Sequence, residues 1–260
     1  MAKFEEHQVS ATTRALVVGD SGAGKTSLLA SIANGGYNLR VLDTDGQLDP
    51  LAGWLTKEGM ARTSFITLKD DFQVKPTSTA WKRFRQIIAK GWTDGDEDLG
   101  MLQDWTDRDV LAIDSVTFLG TLAKNDALSI NGRPPHSQLT MTEWGEAVRQ
   151  MAATLDYLIN PLYFKCNLVV TAIPLGVENE IGITKHYPNC ITRNFSKEVP
   201  KYFNNMIQIK SKRDGSRVLR TVSDTFMELK VSIPNIFEKE IEPDLAAFMH
   251  TIQDAAKGKK

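Results

Sequence analysis

The sequence has few cysteines, no long apolar run and no charge of either sign in excess. Cys166 and Cys190 are its two cysteines among 260 residues, too few for a disulfide framework and typical of a reducing compartment. No run reaches the roughly 18 apolar residues of a membrane-spanning helix, and the opening residues MAKFEEHQVS lack the apolar core of a signal peptide. We therefore expect a cytoplasmic protein without a membrane partner.

The charges nearly cancel. The chain has 31 lysines and arginines against 32 aspartates and glutamates, a net charge of −1. This balance excludes a general affinity for nucleic acid or for a membrane surface, so any such binding must come from a local patch. With 42% hydrophobic and 24% charged residues, the composition is globular and excludes a fibrous or wholly disordered chain. The length fits one large domain with a sizeable core.

Short apolar runs alternate with helical patterns. Apolar runs predict buried strands, and they lie at residues 14–18, 39–42, 64–68, 110–113 and 167–172. Apolar residues at helical spacing predict helices, which lie at residues 26–33, 79–90 and 139–158. Asp214-Gly215, between the runs 206–209 and 217–222, predicts a hairpin. This order predicts an α/β fold, with a mainly parallel sheet flanked by helices and an antiparallel C-terminal hairpin.

Two segments show no clear period. Residues 91–109 contain seven acidic residues against Arg108 alone, and we interpret them as a solvated connection, because no ligand spacing indicates a metal cluster. Residues 174–200 resemble a long loop, and loops of this length usually carry function. His186 and Cys190 within it are too few to form a metal site.

The most specific motif follows the first strand. Residues 19–26 (GDSGAGKT) match G-x-x-x-x-G-K-[ST] in full, between a predicted strand and a predicted helix. Glycines let backbone N–H groups curl around a polyphosphate, and the helix N-terminus adds the positive end of its dipole. Lys25 can reach the β- and γ-phosphates. The predicted nucleotide-binding residues are Gly19, Asp20, Ser21, Gly22, Ala23, Gly24, Lys25, Thr26 and Ser27.

A second acidic position completes a predicted metal site. Asp114 ends the strand VLAID, and nucleotide-binding proteins with such a loop hold Mg²⁺ through an acid at the carboxyl end of a neighbouring strand. The hydroxyl of Thr26 can supply another ligand. The sequence therefore predicts that Thr26 and Asp114 share an Mg²⁺ ion.

The nucleotide class is open to more than one interpretation. The opening GDSGAGKTSLL looks like that of a Ras-like GTPase, and residues 43–47 (DTDGQ) mimic the D-x-x-G-Q switch of that family. The spacing argues against a GTPase, because one helix and one strand separate Thr26 from Asp43 and no N-K-x-D motif follows a later strand. A small-molecule kinase is a third option, without a lid-like arginine cluster to support it.

Taken in order, five segments resemble the RecA-like ATPases, and more narrowly their phage-encoded members that act in single-strand annealing and recombination. These segments are GDSGAGKT, DTDG at 43–46, IDSVT at 113–117, VVTA at 169–172 and VPKYFNNMIQIKSKRDGSRVLRT at 199–221. The resemblance spans about residues 14–245. It implies a RecA-like P-loop NTPase core at residues 14–222, after a polar segment at 1–13. An extension at 223–260 would pack on the core or on a neighbouring subunit.

The resemblance implies catalytic residues. The acid that activates water in the family falls on Asp45, where a glutamate is usual, so this carboxylate is one methylene shorter. Asp43 is the alternative, and a purely structural role for both in a turn stays open. Lys210 and Lys212 lie where the family places a basic pair that reaches the phosphates of a neighbouring subunit. They belong to a basic stretch at 201–220, and a solvated hairpin rim is the alternative.

The resemblance also implies a route to DNA. The strand NLVVTA is where the family senses the γ-phosphate; Thr171 is polar there, and Ile173 stands where Gln or His is common. One predicted DNA segment is residues 129–138, with Arg133 and His136. The other is residues 174–200, whose basic residues are Lys185, His186, Arg193 and Lys197. Ordinary loop chemistry is the alternative for the second segment.

Together these features imply an ATPase with ATP and Mg²⁺ as cofactors. It would hydrolyse the β–γ bond of ATP, act on single-stranded DNA that stimulates it, and assemble as a ring or filament of identical subunits. A single-strand-binding protein is an implied partner, and a phage-encoded chain would work in the host cytoplasm. The alternative is a nucleotide-gated binding or assembly module that hydrolyses ATP slowly or not at all.

Overall fold

A computed structural model describes residues 12–73, 75, 77–135 and 137–258 of the chain. Residues 1–11 of the predicted N-terminal segment and His136 of the first predicted DNA segment lie outside this part. Within the described ranges, no helix is both long enough and apolar enough to cross a membrane.

The strands are numbered in their order along the chain. They are β1 (Arg14–Val18), β2 (Asn38–Asp43), β3 (Thr63–Thr67), β4 (Trp92–Asp94), β5 (Glu97–Gly100), β6 (Asp109–Asp114), β7 (Asn167–Ala172), β8 (Pro174–Glu178), β9 (Thr184–Pro188), β10 (Asn205–Ser211), β11 (Arg217–Arg220) and β12 (Glu240–Ile241).

The helices lie between these strands and after the last of them. They are α1 (Lys25–Leu28), α2 (Ala30–Asn34), α3 (Asp49–Ala52), α4 (Lys57–Met60), α5 (Ala80–Lys90), α6 (Val116–Ile130), α7 (Met141–Ile159), α8 (Arg193–Glu198) and α9 (Leu245–Ala256).

Eight strands form one sheet in the order β12-β11-β10-β1-β7-β6-β2-β3. Every pairing from β10 to β3 is parallel, whereas β11 pairs antiparallel with both β10 and β12. The predicted mainly parallel sheet with an antiparallel C-terminal hairpin is confirmed. Because parallel strands end at one edge, β1, β2, β6 and β7 all present their carboxyl ends there.

Helices cover both faces of the sheet. Alternate side chains of β1 point to opposite faces, so Ala15 and Val17 pack in one hydrophobic cluster and Leu16 and Val18 in the other. The first cluster contains side chains of α1, α2 and α9, and the second contains side chains of α5, α6 and α7. Since β1 is buried on both sides, its sequence is a continuous apolar run.

Residues 91–109 are mostly exposed, in agreement with a solvated connection, but they form a regular hairpin instead of an irregular segment. Trp92 and Trp105 are buried with ring centroids 6.1 Å apart, and β4 and β5 form a short hairpin between them. Acidic side chains such as Asp96 and Asp98 are exposed. The segment is therefore an acidic hairpin that is anchored at both ends by tryptophan.

The structure corrects the prediction of a long loop at residues 174–200. β8 and β9 pair antiparallel along their whole length, and α8 follows them. The strand residues are mostly half-exposed. Neither face of the hairpin is fully buried, so the sequence shows no alternation of apolar and polar residues.

Residues 223–258 contact the core of the same chain. β12 extends the main sheet beside β11, and α9 packs against α2. The backbone N–H of Leu245 donates to the hydroxyl of Ser31 at 2.9 Å, and a Cβ added at Gly35 would lie 2.2 Å from the Cβ of Ala246. The close approach of the two helices therefore depends on the missing side chain at Gly35.

We expect Gly35→Ala to lower the free energy of unfolding by about 1–3 kcal/mol, because the added methyl overpacks the contact between α2 and α9. Gly145→Ala is the matched control: Gly145 is exposed in α7 and a Cβ there would meet nothing within 4 Å. In the control, the free energy of unfolding should rise by up to about 1 kcal/mol, because alanine has a higher helix propensity than glycine. Urea denaturation of both variants measures the difference, and equal stabilities would contradict the docking of α9.

Candidate active site

The candidate site lies at the carboxyl edge of the parallel sheet. The phosphate loop, residues 19–26, leads from β1 into the first residues of α1. Asp114 is the last residue of β6, and Asp45 lies two residues after the end of β2. β7 runs between β1 and β6, so the strand that carries Thr171 separates the loop strand from the strand that carries Asp114. The backbone N–H of Gly19 donates to the carbonyl of Ala172 at 3.1 Å, which attaches the loop to the end of β7.

The loop has the backbone shape that a phosphate cradle requires. Gly22 and Gly24 have φ angles of 77° and 97°, which residues with a side chain rarely adopt. A cavity of about 420 Å³ opens over the loop. Its lining includes Ser21, Gly22, Lys25, Thr26, Asp45 and Gln47.

Lys25 closes the loop on itself. Its Nζ donates to the carbonyls of Gly19 at 2.8 Å and of Asp20 at 2.9 Å. Burial lowers the pKa of Lys25, and the nearby Asp114, Asp20 and Asp45 oppose that shift. The ammonium thus lies at the cavity on two neutral acceptors, which phosphate oxygens can replace with stronger, charge-assisted bonds.

Asp114 joins the loop to β7. The hydroxyl of Thr26 donates to its Oδ2 at 2.6 Å, and the hydroxyl of Thr171 donates to its Oδ1. Asp114 is 1% exposed. Thr26 and Asp114 together offer hard oxygen donors beside the phosphate cavity, which are the ligands that Mg²⁺ prefers. The residues present therefore fit an Mg²⁺ ion held by these two side chains.

The turn after β2 distinguishes its two acids. Asp43 is buried, its Oδ1 accepts from the N–H of Gly46 at 2.7 Å, and its Oδ2 accepts from the hydroxyl of Thr67 at 2.9 Å. Asp45 is half-buried and lines the phosphate cavity. Burial, together with the Asp114 and Asp43 carboxylates, raises the pKa of Asp45 to about 6. Asp43 holds the turn, and Asp45 is the acid that faces the cavity.

A second cavity adjoins the first. It measures about 310 Å³, and Leu28, Trp54, Ile209 and Pro243 are among its apolar lining residues. Gly24, Ser27 and Arg217 line both cavities. Sequence reasoning missed Trp54 altogether and counted Arg217 only within a basic stretch. Neither residue belongs to a motif, and no local signal could have identified them.

The two predicted lysines lie at the end of β10 and in the turn that follows it. Lys212 forms an ion pair with Glu240, with 3.1 Å between Nζ and Oε2. Lys210 is exposed and lines a small cavity of about 190 Å³ beside Asp20 and His186. Both therefore lie at the same edge of the sheet as the loop, on the β10–β11 hairpin.

The four predicted DNA-binding residues have different surroundings. Arg133 lies 2.5 Å from the Oε2 of Glu143, and Lys185 lies 2.9 Å from the Oε1 of Glu228. Glu143 also accepts from the backbone N–H of Thr140 at the start of α7, so Arg133 stabilises a helix end. Arg193 and Lys197 are exposed on α8. Arg193 and Lys197 are therefore more accessible to an anionic ligand than Arg133 and Lys185, which pair with glutamates.

Solved structures of other proteins show distant similarity. The RadB recombinase is 14% identical with a TM-score of 0.41, over 82% of this chain and 81% of that one. An ATPase from the type III secretion system of pathogenic bacteria is 16% identical with a TM-score of 0.41, over 78% of this chain and 52% of that one. The type III secretion ATPase EscN from enteropathogenic E. coli is 14% identical with a TM-score of 0.42, over 77% of this chain and 43% of that one. The chain thus spans about half the length of the two secretion ATPases, and no curated protein matches it.

The family comparison covers most of the chain. A family described as an AAA domain matches residues 11–230, which include the loop, Asp45, Asp114, Thr171 and the β10–β11 hairpin. The chain belongs to this AAA-domain family, and the phosphate loop at the end of a central parallel strand gives it the arrangement of a P-loop nucleotide-binding protein.

Proposed function

We propose that this protein is a RecA-like ATPase that depends on Mg²⁺ and acts on single-stranded DNA. Its role would be that of the phage-encoded recombination and annealing proteins that its sequence resembles. The observation that carries the proposal is the Asp114 carboxylate, which accepts from Thr26 of the loop and from Thr171 of β7. A change at the phosphates therefore reaches β7 through a single side chain. β7 leads directly into the β8–β9 hairpin.

The two adjoining cavities suit the two halves of ATP. The loop and Lys25 offer N–H donors and a cation to the phosphates. The apolar cavity beside Trp54 offers an aromatic face to the base, and this ring is 65% exposed. ATP bound in this way places its γ-phosphate towards Thr26, Asp114 and Asp45.

Asp45 is the proposed general base. It takes a proton from water as the water oxygen attacks the γ-phosphorus, the bond to the β–γ bridging oxygen breaks, and ADP leaves. A carboxyl group with a pKa of about 6 is ionised at neutral pH and still accepts a proton readily. Thr26 and Asp114 would hold an Mg²⁺ ion, which would supply positive charge to the phosphates.

The β8–β9 hairpin and α8 are the proposed DNA contacts. The N–H of Gly19 donates to Ala172, and Ile173 alone separates β7 from β8, so the phosphate loop and the hairpin share one strand. Arg193 and Lys197 are exposed cations next to the hairpin. Basic side chains of this kind track the phosphates of an unpaired strand.

A ring or filament of identical subunits is the proposed assembly, with Lys210 and Lys212 reaching the phosphates bound by a neighbour. A further cation would stabilise the negative charge on the transferred phosphoryl group, and the lysines on the β10–β11 hairpin are suited to that role. A single-strand-binding protein is a further proposed partner, on the sequence resemblance alone.

A second candidate function is a nucleotide-gated assembly module that hydrolyses ATP slowly or not at all. Asp45 favours it, because this carboxylate is one methylene shorter than the glutamate usual in the family. DNA-stimulated turnover separates the two candidates.

Lys25→Ala should lower the rate of ATP hydrolysis by about a hundredfold or more, because the only loop side chain with a positive charge is removed. The rate of ADP release at saturating Mg²⁺ and ATP is the measurement. Lys82→Ala, which removes an exposed lysine from α5, is the control and should behave as the wild type. Full activity in the Lys25 variant would reject the assignment of the site.

Single-stranded DNA should raise the hydrolysis rate at least several-fold, and Arg193→Ala with Lys197→Ala should remove that stimulation. Lys90→Ala with Arg108→Ala, which removes two exposed cations elsewhere, is the charge-matched control and should be stimulated normally. Titration of each variant with an oligonucleotide of one length measures the effect. If DNA left the hydrolysis rate of the wild type unchanged, the result would favour the nucleotide-gated assembly module instead.

Lys210→Ala with Lys212→Ala should slow hydrolysis while ATP still binds. If these lysines act on a neighbour, mixing this variant with Lys25→Ala should recover activity, because some interfaces then join an intact loop to intact lysines. Each variant alone is the control. Mixed samples that stay as slow as their components would assign the lysines to their own subunit.

A further inference from the structure

Arg217 lies at the junction of the two cavities. It begins β11, and its guanidinium donates from Nη1 to the hydroxyl of Ser27 at 3.1 Å. The guanidinium carbon is 5.9 Å from the ring centroid of Trp54. The side chain therefore spans from the loop helix to the exposed tryptophan of the apolar cavity.

The guanidinium of Arg217 also occupies the space beside Gly24 that a side chain there would fill. A Cβ added there would lie 2.6 Å from Cζ, 2.7 Å from Nη1 and 2.8 Å from Nε of the guanidinium. Gly24 belongs to the phosphate loop and is the last residue before α1. The guanidinium thus lies against the cradle itself and adds a cation to it.

Within the part of the chain that the structure describes, no carboxylate pairs with the Arg217 guanidinium. Arg220 on the same strand, in contrast, lies 2.8 Å from the Oδ2 of Asp224. A half-buried cation held only by a hydroxyl and an aromatic face is ready to exchange the hydroxyl for an anion.

We propose that Arg217 binds the phosphate of the nucleotide nearest the ribose, in the same subunit that binds the nucleotide. This inference rests on the proposed placement of ATP across the two cavities. Lys25, Thr26 and Asp45 line the phosphate cavity and not the apolar one. Arg217 and Ser27 line both cavities, and Trp54 lines the apolar cavity beside them. Arg217 therefore contacts the end of the phosphate chain that ATP and ADP share.

Equilibrium binding of ATP and of ADP to the full chain tests this assignment. Arg217→Ala should weaken both nucleotides alike, by about tenfold, the loss of one charge-assisted hydrogen bond. Arg217→Lys, which keeps the charge without the planar fork, should lie between this variant and the wild type. Arg213→Ala removes an exposed arginine from the same turn and should bind both nucleotides as the wild type does.

The possible outcomes are distinguishable. Unchanged affinity in Arg217→Ala, in a protein whose wild type binds ATP and whose Lys25→Ala variant does not, would overturn this inference alone. Loss of ATP affinity with ADP affinity kept would place Arg217 at the γ-phosphate and would also overturn it. A wild type that binds neither nucleotide would reject the proposed function. Circular dichroism shows whether Arg217→Ala is folded, and Arg217→Lys decides the question if it is not.

Discussion

The site depends on one buried carboxylate. Asp114 accepts from a hydroxyl of the phosphate loop and from a hydroxyl of β7 while it is almost completely removed from solvent. Burial of a carboxylate costs free energy unless hydrogen bonds or a cation compensate it. The hydroxyls of Thr26 and Thr171 provide these hydrogen bonds to Asp114. The arrangement fixes the loop, the end of β6 and the end of β7 against one another, and so fixes the dimensions of the cavity between them.

The order of the strands makes this interaction possible. Because β7 lies between β1 and β6, the strand next to the phosphate loop is also the strand that enters the β8–β9 hairpin. A rearrangement at Asp114 would therefore reach the hairpin through one hydrogen bond to Thr171 and the short stretch of chain that follows it. In a parallel sheet all of these strand ends meet at one edge, so a nucleotide can reach all of them at once.

The features predicted from the sequence are those that a few neighbouring residues encode. The phosphate loop occupies eight consecutive residues, and strands such as β1 and β7 are continuous apolar runs because the sheet is covered on both faces. The choice between Asp43 and Asp45 required the hydrogen bonds of the turn. Trp54 and Arg217 are far apart in the chain and come together through the tertiary fold alone, so neither could be recognised from a local pattern.

The turn between β10 and β11 separates two cations, Lys212 and Arg217, for which different tasks are proposed. It is closed by a hydrogen bond of 2.7 Å from the N–H of Lys212 to the carbonyl of Ser216, and Arg217 follows at once. If binding of a nucleotide at Arg217 shifted the backbone of this turn, the ammonium of Lys212 would move as well. In the proposed assembly, with subunits arranged head to tail, such a link would have a polarity: occupancy would pass from each protomer to the next in one direction around the ring or along the filament.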